Sequence, residues 1–164
     1  MNLQTKITIA APDFSIDYNS KLMMLGSCFA ENMGGKFSYY KFDVDVNPCG
    51  IIYNPLSVAN VLRLIMEGKP FGKDDLRKVG EKWVSLYHHG AFSSTDPEEC
   101  LRRINERLER ATRELRSLDL LVITWGTAWV YKHVGENMVV SNCHKIPSQE
   151  FERSRLSVED IVKE

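Results

Sequence analysis

The sequence predicts an α/β domain built on a mostly parallel sheet, and three observations carry that prediction. Two apolar runs, Lys21-Leu22-Met23-Met24-Leu25 and Asp119 to Trp125 (DLLVITW), each end abruptly at a glycine, Gly26 and Gly126. Continuous apolar runs of that length suit strands buried on both faces. Between them lie three segments with the three-to-four-residue apolar period of amphipathic helices. Strands alternating with helices argue for parallel pairing, because each crossover returns the chain to the same sheet edge.

Taken in order, the first strand at Lys21–Leu25 is followed by Ala30, Met33 and Phe37 at helical spacing, although Gly34-Gly35 weakens that helix. Phe42 to Val46 alternates: Phe42, Val44 and Val46 are apolar, Asp43 and Asp45 acidic. That is the period of a strand with one buried face, its acids turned to water. Asn54-Pro55 then offers an N-cap with proline at the first helical position, and Gly68 stands just past the end. Val58, Val61, Leu62 and Ile65 form the apolar stripe between them.

Lys82 to Phe92, with Trp83, Val84, Leu86, Tyr87 and His88-His89, reads as more strand-like than helical, with both open. The longest helix follows, from Pro97 to about Arg116, opened by Asp96 and Glu99 as a capping-box pair. Leu101, Ile104, Leu108 and Leu115 mark its buried face, and its interleaved Arg and Glu read as a solvated surface. After DLLVITW, Trp129–Val134 and Met138–Ser141 flank Gly135-Glu136-Asn137 as a β-hairpin. Ser157-Val158-Glu159-Asp160 starts another helix so close to Glu164 that the domain is expected to be incomplete at its C-terminus. An unfinished sheet would leave an unpaired edge, so a homo-oligomer is one expected assembly.

Composition bounds the function classes. With 164 residues the chain fits one domain, here residues 1–164, and its 43% apolar and 26% charged fractions match ordinary soluble proteins. A formal net charge of -1, with no basic stretch outrunning its acidic neighbours, gives no reason to expect nucleic acid. No apolar run approaches the roughly 20 residues of a membrane helix. The start, MNLQTKITIAAPDF, is broken by Thr5, Lys6 and Thr8 and lacks the apolar core of a signal peptide, which predicts a cytoplasmic chain. Cys28, Cys49, Cys100 and Cys143 are far apart with no CxxC pair, so no disulfide framework is expected. No usual zinc spacing occurs either, and nothing in the sequence demands a metal or an organic cofactor.

Ligands of open α/β sheets bind beyond the carboxyl ends of the strands. Three turns fall there: Gly26-Ser27-Cys28-Phe29, Asn47-Pro48-Cys49-Gly50 and Gly126-Thr127-Ala128. A serine or cysteine opening a helix lies at the positive end of the helix dipole, near free N–H groups that can stabilise an oxyanion and favour a thiolate. The alternative for the first turn is that Ser27 only caps the helix while Cys28 packs inside. Asn142-Cys143-His144-Lys145 is the other polar cluster: His144 could act as a base and Asn142 as an oxyanion donor, with His88, His89 and His133 competing for the role of base.

Four segments together resemble the GSCFA family: Leu25-Gly26-Ser27-Cys28-Phe29-Ala30-Glu31, Asn47 to Pro55 (NPCGIIYNP), Thr124 to Tyr131 (TWGTAWVY) and Asn142-Cys143-His144-Lys145-Ile146-Pro147 with Phe151. That family is similar to the SGNH (GDSL-type) hydrolases. The resemblance implies a three-layer α/β/α sandwich, flavodoxin-like in outline, and hydrolysis or transfer of acyl esters, with a small-molecule or carbohydrate ester as substrate. It also implies roles. The nucleophile position of the Gly-Asp-Ser turn falls on Cys28 and the preceding Asp position on Ser27, which leaves either residue as nucleophile. The second-block glycine, an oxyanion donor, corresponds to Gly50. The third block, Gly-x-Asn-Asp, corresponds to Gly126-Thr127-Ala128-Trp129, where Ala128 replaces the oxyanion asparagine and leaves Asn142 to supply that donor. No Asp-x-x-His block follows His144, so His144 stands in as base or the base lies beyond Glu164. A non-catalytic module holding a glycan or acyl ligand at the same edge is the competing expectation.

Overall fold

A computed structural model describes residues 7, 8, 10 and 12–164; most of the N-terminal stretch MNLQTKITIAAPDF read above lies outside them. The chain runs β1 (Lys21–Gly26), α1 (Cys28–Tyr39), β2 (Asp43–Val46), α2 (Pro55–Glu67), β3 (Arg77–Val79), β4 (Lys82–Val84), α3 (Pro97–Leu115), β5 (Leu120–Thr124), β6 (Trp129–His133), β7 (Met138–Val139), β8 (Phe151–Arg155) and α4 (Val158–Val162). The architecture is α/β: one parallel sheet, in the order β2-β1-β5, accompanied by helices and two small antiparallel sheets, β3-β4 and β7-β6-β8. The expected parallel strands therefore pair as neighbours, with Leu22 beside Val44 on one side and Leu120 on the other. No described helix is long and apolar enough to cross a membrane.

Strand β1 is central, and its apolar run is buried as the sequence requires. Met23 and Leu25 share one face of the pleat. They join Val58, Val61 and Ile65 of α2 and Ile104, Leu108 and Ala111 of α3 in the main core. Burying side chains of this size contributes about 1.5–3 kcal/mol each. Helix α2 has the predicted ends: Asn54 Oδ1 accepts from the Ser57 N–H at 2.9 Å, Pro55 opens the first turn, and Gly68 closes the helix at φ 62°.

Helix α1 packs beside β2 through Gly34. A Cβ there would fall 2.4 Å from Val46 Cγ2, whereas one on Gly35 meets nothing within 4 Å. The two glycines that weaken the helix therefore differ in purpose. Gly34→Ala is expected to destabilise by about 1–3 kcal/mol through overpacking against a stiff β-branched side chain. Gly35→Ala is expected to stabilise by about 0.5–1 kcal/mol through helix propensity. Urea unfolding of the two variants tests this; equal shifts of the same sign would refute the close approach.

The structure departs from the sequence reading in five places. Strand β5, read as buried on both faces, is an edge strand with Ile123 37% exposed, because no described strand covers its outer side. The strand expected over Lys82–Phe92 stops at Val84, because side chains there bond the backbone locally: Ser85 Oγ accepts from the Tyr87 N–H and His89 Nδ1 from the Ala91 N–H. Its partner β3 and the outer strand β8 were not foreseen. The capping box at α3 does not form. Asp96 caps the Glu98 N–H, while Arg102 and Arg103 take the Glu99 carboxylate and draw it down to about 2. Finally, Asp45 does not face water. It is only 5% exposed and receives both guanidinium nitrogens of Arg107, from the α3 face expected to be solvated.

Candidate functional site

The turn after β1 depends on Gly26, whose φ is 131° and whose missing side chain would lie 2.0 Å from the Thr124 carbonyl oxygen. Only glycine allows β1 and β5 to meet so closely there. Ser27 follows, buried and committed: its N–H donates to Thr124 Oγ1 at 3.1 Å, its Oγ pairs with the same oxygen at 3.2 Å, and it accepts from the Phe29 N–H at 3.3 Å. It is the N-cap of α1. Cys28 is different. Its free thiol is exposed on the first turn of a 12-residue helix. Its N–H, like other first-turn amides, has no helical acceptor, because the residue four positions earlier, Met24, belongs to β1 and not to the helix.

The other two turns converge on this one. Asn47, in left-handed backbone at φ 43°, accepts from the Gly26 N–H through Oδ1 at 2.9 Å and donates through Nδ2 to Glu31 Oε2 at 2.7 Å. The Ile52 N–H donates to Gly26 O at 2.9 Å. Tyr53 O accepts from the N–H groups of Gly126 at 2.8 Å and Thr127 at 3.1 Å. Gly126 lies against Ser27, since a Cβ built on it would be 3.8 Å from Ser27 Cβ. The two glycines expected to donate to an oxyanion are nonetheless occupied. Gly50 N–H donates to Asn47 O at 2.7 Å, and Gly126 N–H to Tyr53 O.

Asn142 and His144 gather elsewhere, in a cavity of about 470 Å³ between the β3–β4 hairpin and the loop after β7. His89, Lys82, Lys145 and Ser93 line it with them; Ser27 and Cys28 do not. Asn142 Oδ1 accepts from the His144 N–H at 2.8 Å, and His144 Nε2 lies 2.8 Å from Ser85 O, so the ring nitrogen donates there. Burial holds the His144 ring below its ordinary value, its bonds to backbone carbonyls oppose this, and the nearby His89 reinforces it. His144 and Lys145 both have positive φ, 49° and 60°, a strained pair that the surrounding contacts must hold in place. The competing histidines sort cleanly. His88 and His133 are buried structural groups. His89 touches Gly50, where a Cβ would stand 2.3 Å from His89 Cβ, and its N–H donates to Cys49 O at 2.8 Å.

The site therefore has two parts. Ser27, Cys28 and Gly126 come together at the sheet edge, Asn142 and His144 come together in the cavity, and Gly50 with His89 lies between the two groups. Among the described residues no three His, Cys, Asp or Glu side chains gather to hold a metal. Cys49 is sealed in the core, and burial pushes its thiol up to about 12 despite the nearby Arg107.

The model of the GSCFA family matches residues 21–164, from the first residue of β1 to two residues past α4. The chain belongs to the GSCFA family. No curated protein and no solved structure matches it. In this GSCFA chain the Gly-Ser-Cys-Phe-Ala segment forms the β1–α1 turn, with Ala30 fully buried and Phe29 exposed. Three supporting residues were missed in the sequence: Asn47, Glu31 and Thr124. Thr124 left a signal, a lone hydroxyl at the end of an apolar strand two residues before its closing glycine. Asn47 left a weaker one, an asparagine before proline where left-handed backbone is common for its type. Glu31 left none, since an acid in a first helical turn is ordinary.

Proposed function

We propose that this GSCFA chain carries out acyl transfer from a small ester, with Cys28 as nucleophile, on a three-layer SGNH-like fold. The observation that carries this reading is the contrast at the β1–α1 turn. Ser27 Oγ is spent on capping α1 and on Thr124, whereas the Cys28 thiol is exposed beside its own unpartnered N–H. In the proposed reaction the Cys28 thiolate attacks the ester carbonyl, and the developing oxyanion is met by the α1 N-terminal amide. The carbon–oxygen bond of the ester breaks and the alcohol leaves with a proton. Water or a second hydroxyl then cleaves the thioester and regenerates the thiol. His89 and His144 line the neighbouring cavity rather than the Cys28 turn, so in this reading the protons are exchanged with water at the exposed thiol. The four free cysteines suit a reducing compartment, in keeping with a cytoplasmic setting.

The experiment is incubation with an activated acetyl ester, intact-mass measurement and peptide mapping. A single acetyl group on Cys28 is expected. Cys28→Ala should lose it and lower turnover by at least ~10³-fold. Ser27→Ala should keep it while losing about 1 kcal/mol of helix capping. Adducts scattered over lysines, or full turnover by Cys28→Ala, would overturn the assignment.

A second reading is a non-catalytic module that holds a glycan or acyl ligand. The occupied N–H groups of Gly50 and Gly126, together with Ala128 at the place of the oxyanion asparagine, favour it. Saturable stabilisation by ligand without turnover would support that reading.

A further inference from the structure

We infer that the cavity between the β3–β4 hairpin and the Asn142–Lys145 loop is a subsite for an anionic group, a carboxylate or a phosphate ester, carried by the substrate. The word substrate rests on the acyl-transfer reading; the anion site itself does not. Lys82 from the hairpin, His89 from the segment after it, and Asn142, His144 and Lys145 from the loop line it. Two lysines and two histidines face the space, and no aspartate or glutamate lines it. Neither Lys82 nor Lys145 forms an ion pair among the described residues, so neither charge is spent within the protein.

The polar groups are also oriented for an acceptor ligand. Asn142 uses its Oδ1 internally on the His144 N–H, which leaves its amide N–H groups as the part available to a guest. His89 uses Nδ1 to accept from the Ala91 N–H, which places hydrogen on Nε2 and leaves that atom as a donor. An unpaired lysine pair, an amide donor and an imidazole donor in one concavity favour a compact anion over a neutral or cationic group. The cavity meets the proposed reaction centre through Gly50, whose φ of 82° and missing side chain let His89 pack directly on the Asn47–Gly50 turn. An ester held by its anionic end would thus reach toward that turn.

The test uses the whole chain and inorganic phosphate, titrated by calorimetry at constant ionic strength against chloride, with acetate as the second probe. Saturable phosphate or acetate binding is expected, weakened at least tenfold in Lys82→Gln/Lys145→Gln and unchanged in Lys69→Gln. Acetate binding as strong as phosphate identifies a carboxylate subsite; phosphate alone identifies a phosphate ester. Binding undiminished in the double variant, or an equal response to chloride, overturns the proposal. Turnover of an anionic and a neutral activated ester separates the two claims. Phosphate binding that needs both lysines, with neither ester turned over, keeps the anion site and sinks the acyl-transfer reading. Turnover of both esters at the same KM, with the double variant changing neither, removes the subsite from the reaction.

Discussion

Arg107→Met is expected to destabilise the protein by about 3–5 kcal/mol. The reason is Asp45. Its side chain is 5% exposed, and Arg107 Nη1 donates to Oδ2 at 3.1 Å while Nη2 donates to Oδ1. The same Nη2 donates to Val46 O at 3.1 Å, so one guanidinium satisfies the carboxylate and closes the end of β2. Arg107 is itself 21% exposed, but removing it leaves the Asp45 carboxylate buried without its charge partner, and that stranded charge is what the measurement reads. Replacing both partners, as Asp45→Val with Arg107→Met, should return most of the loss, since two apolar side chains leave no charge stranded. Urea unfolding of the single and double variants decides the matter. A cost below about 1 kcal/mol for Arg107→Met would place the pair among solvent-screened bridges. A double variant no more stable than the single one would show that packing, rather than the stranded charge, carries the effect.

The same pair shows how far the sequence was legible. Alternation from Phe42 to Val46 correctly located a strand, because period two is a local property of the chain. It assigned the wrong environment to Asp45, because the face opposite Val44 and Val46 meets α3, and α3 arrives some sixty residues later. Nothing about Arg107 separates it, in sequence, from Arg103 or Arg110, which lie on the exposed side of the same helix. Helix ends were legible where one residue sufficed, as at Asn54 and Gly68. They failed where two side chains compete for one carboxylate, as at Glu99. The region after Lys82 failed for a related reason: Ser85 and His89 divert backbone groups into turns that apolar content cannot reveal.

For the site, the sequence located the turns and the structure apportioned their roles. Glycine followed by a nucleophile at the end of an apolar run is readable, and the three turns do converge. Which of Ser27 and Cys28 is exposed depends on one rotation about the start of α1 and on Thr124, which no spacing encodes. His144 was singled out for its neighbours Asn142 and Cys143. Its ring, however, faces Ser85 O, and His89 came to the fore only because Gly50 leaves room for it.

Acidification is expected to unfold this protein through His88 before most carboxylates are protonated. His88 is 1% exposed, its Nδ1 is 2.9 Å from Ser85 Oγ, and its ring packs edge-on to Phe71 and Phe92. Burial, aided by the nearby His144, holds it down to about 3 against an ordinary 6.5. The folded state thus refuses a proton that the unfolded chain binds below pH 6.5. The sign follows: this contribution is fully present above pH 6.5, is lost as pH falls, and stops falling near pH 3. The slope is about 1.4 kcal/mol per pH unit, so roughly 2–3 kcal/mol disappears between the ordinary histidine and glutamate values, 6.5 and 4.5. His144, also held low by burial, steepens the loss in the same window. The lowered carboxylates Asp17, Glu99 and Asp160 act below it, because their unfolded values are 3.8, 4.5 and 3.8. Urea midpoints of the wild type and His88→Gln across that window provide the check. The variant starts less stable but should lose about 1.4 kcal/mol less per pH unit. Equal slopes would mean that protonated His88 is accommodated in the folded state, and that acid acts on the fold somewhere else.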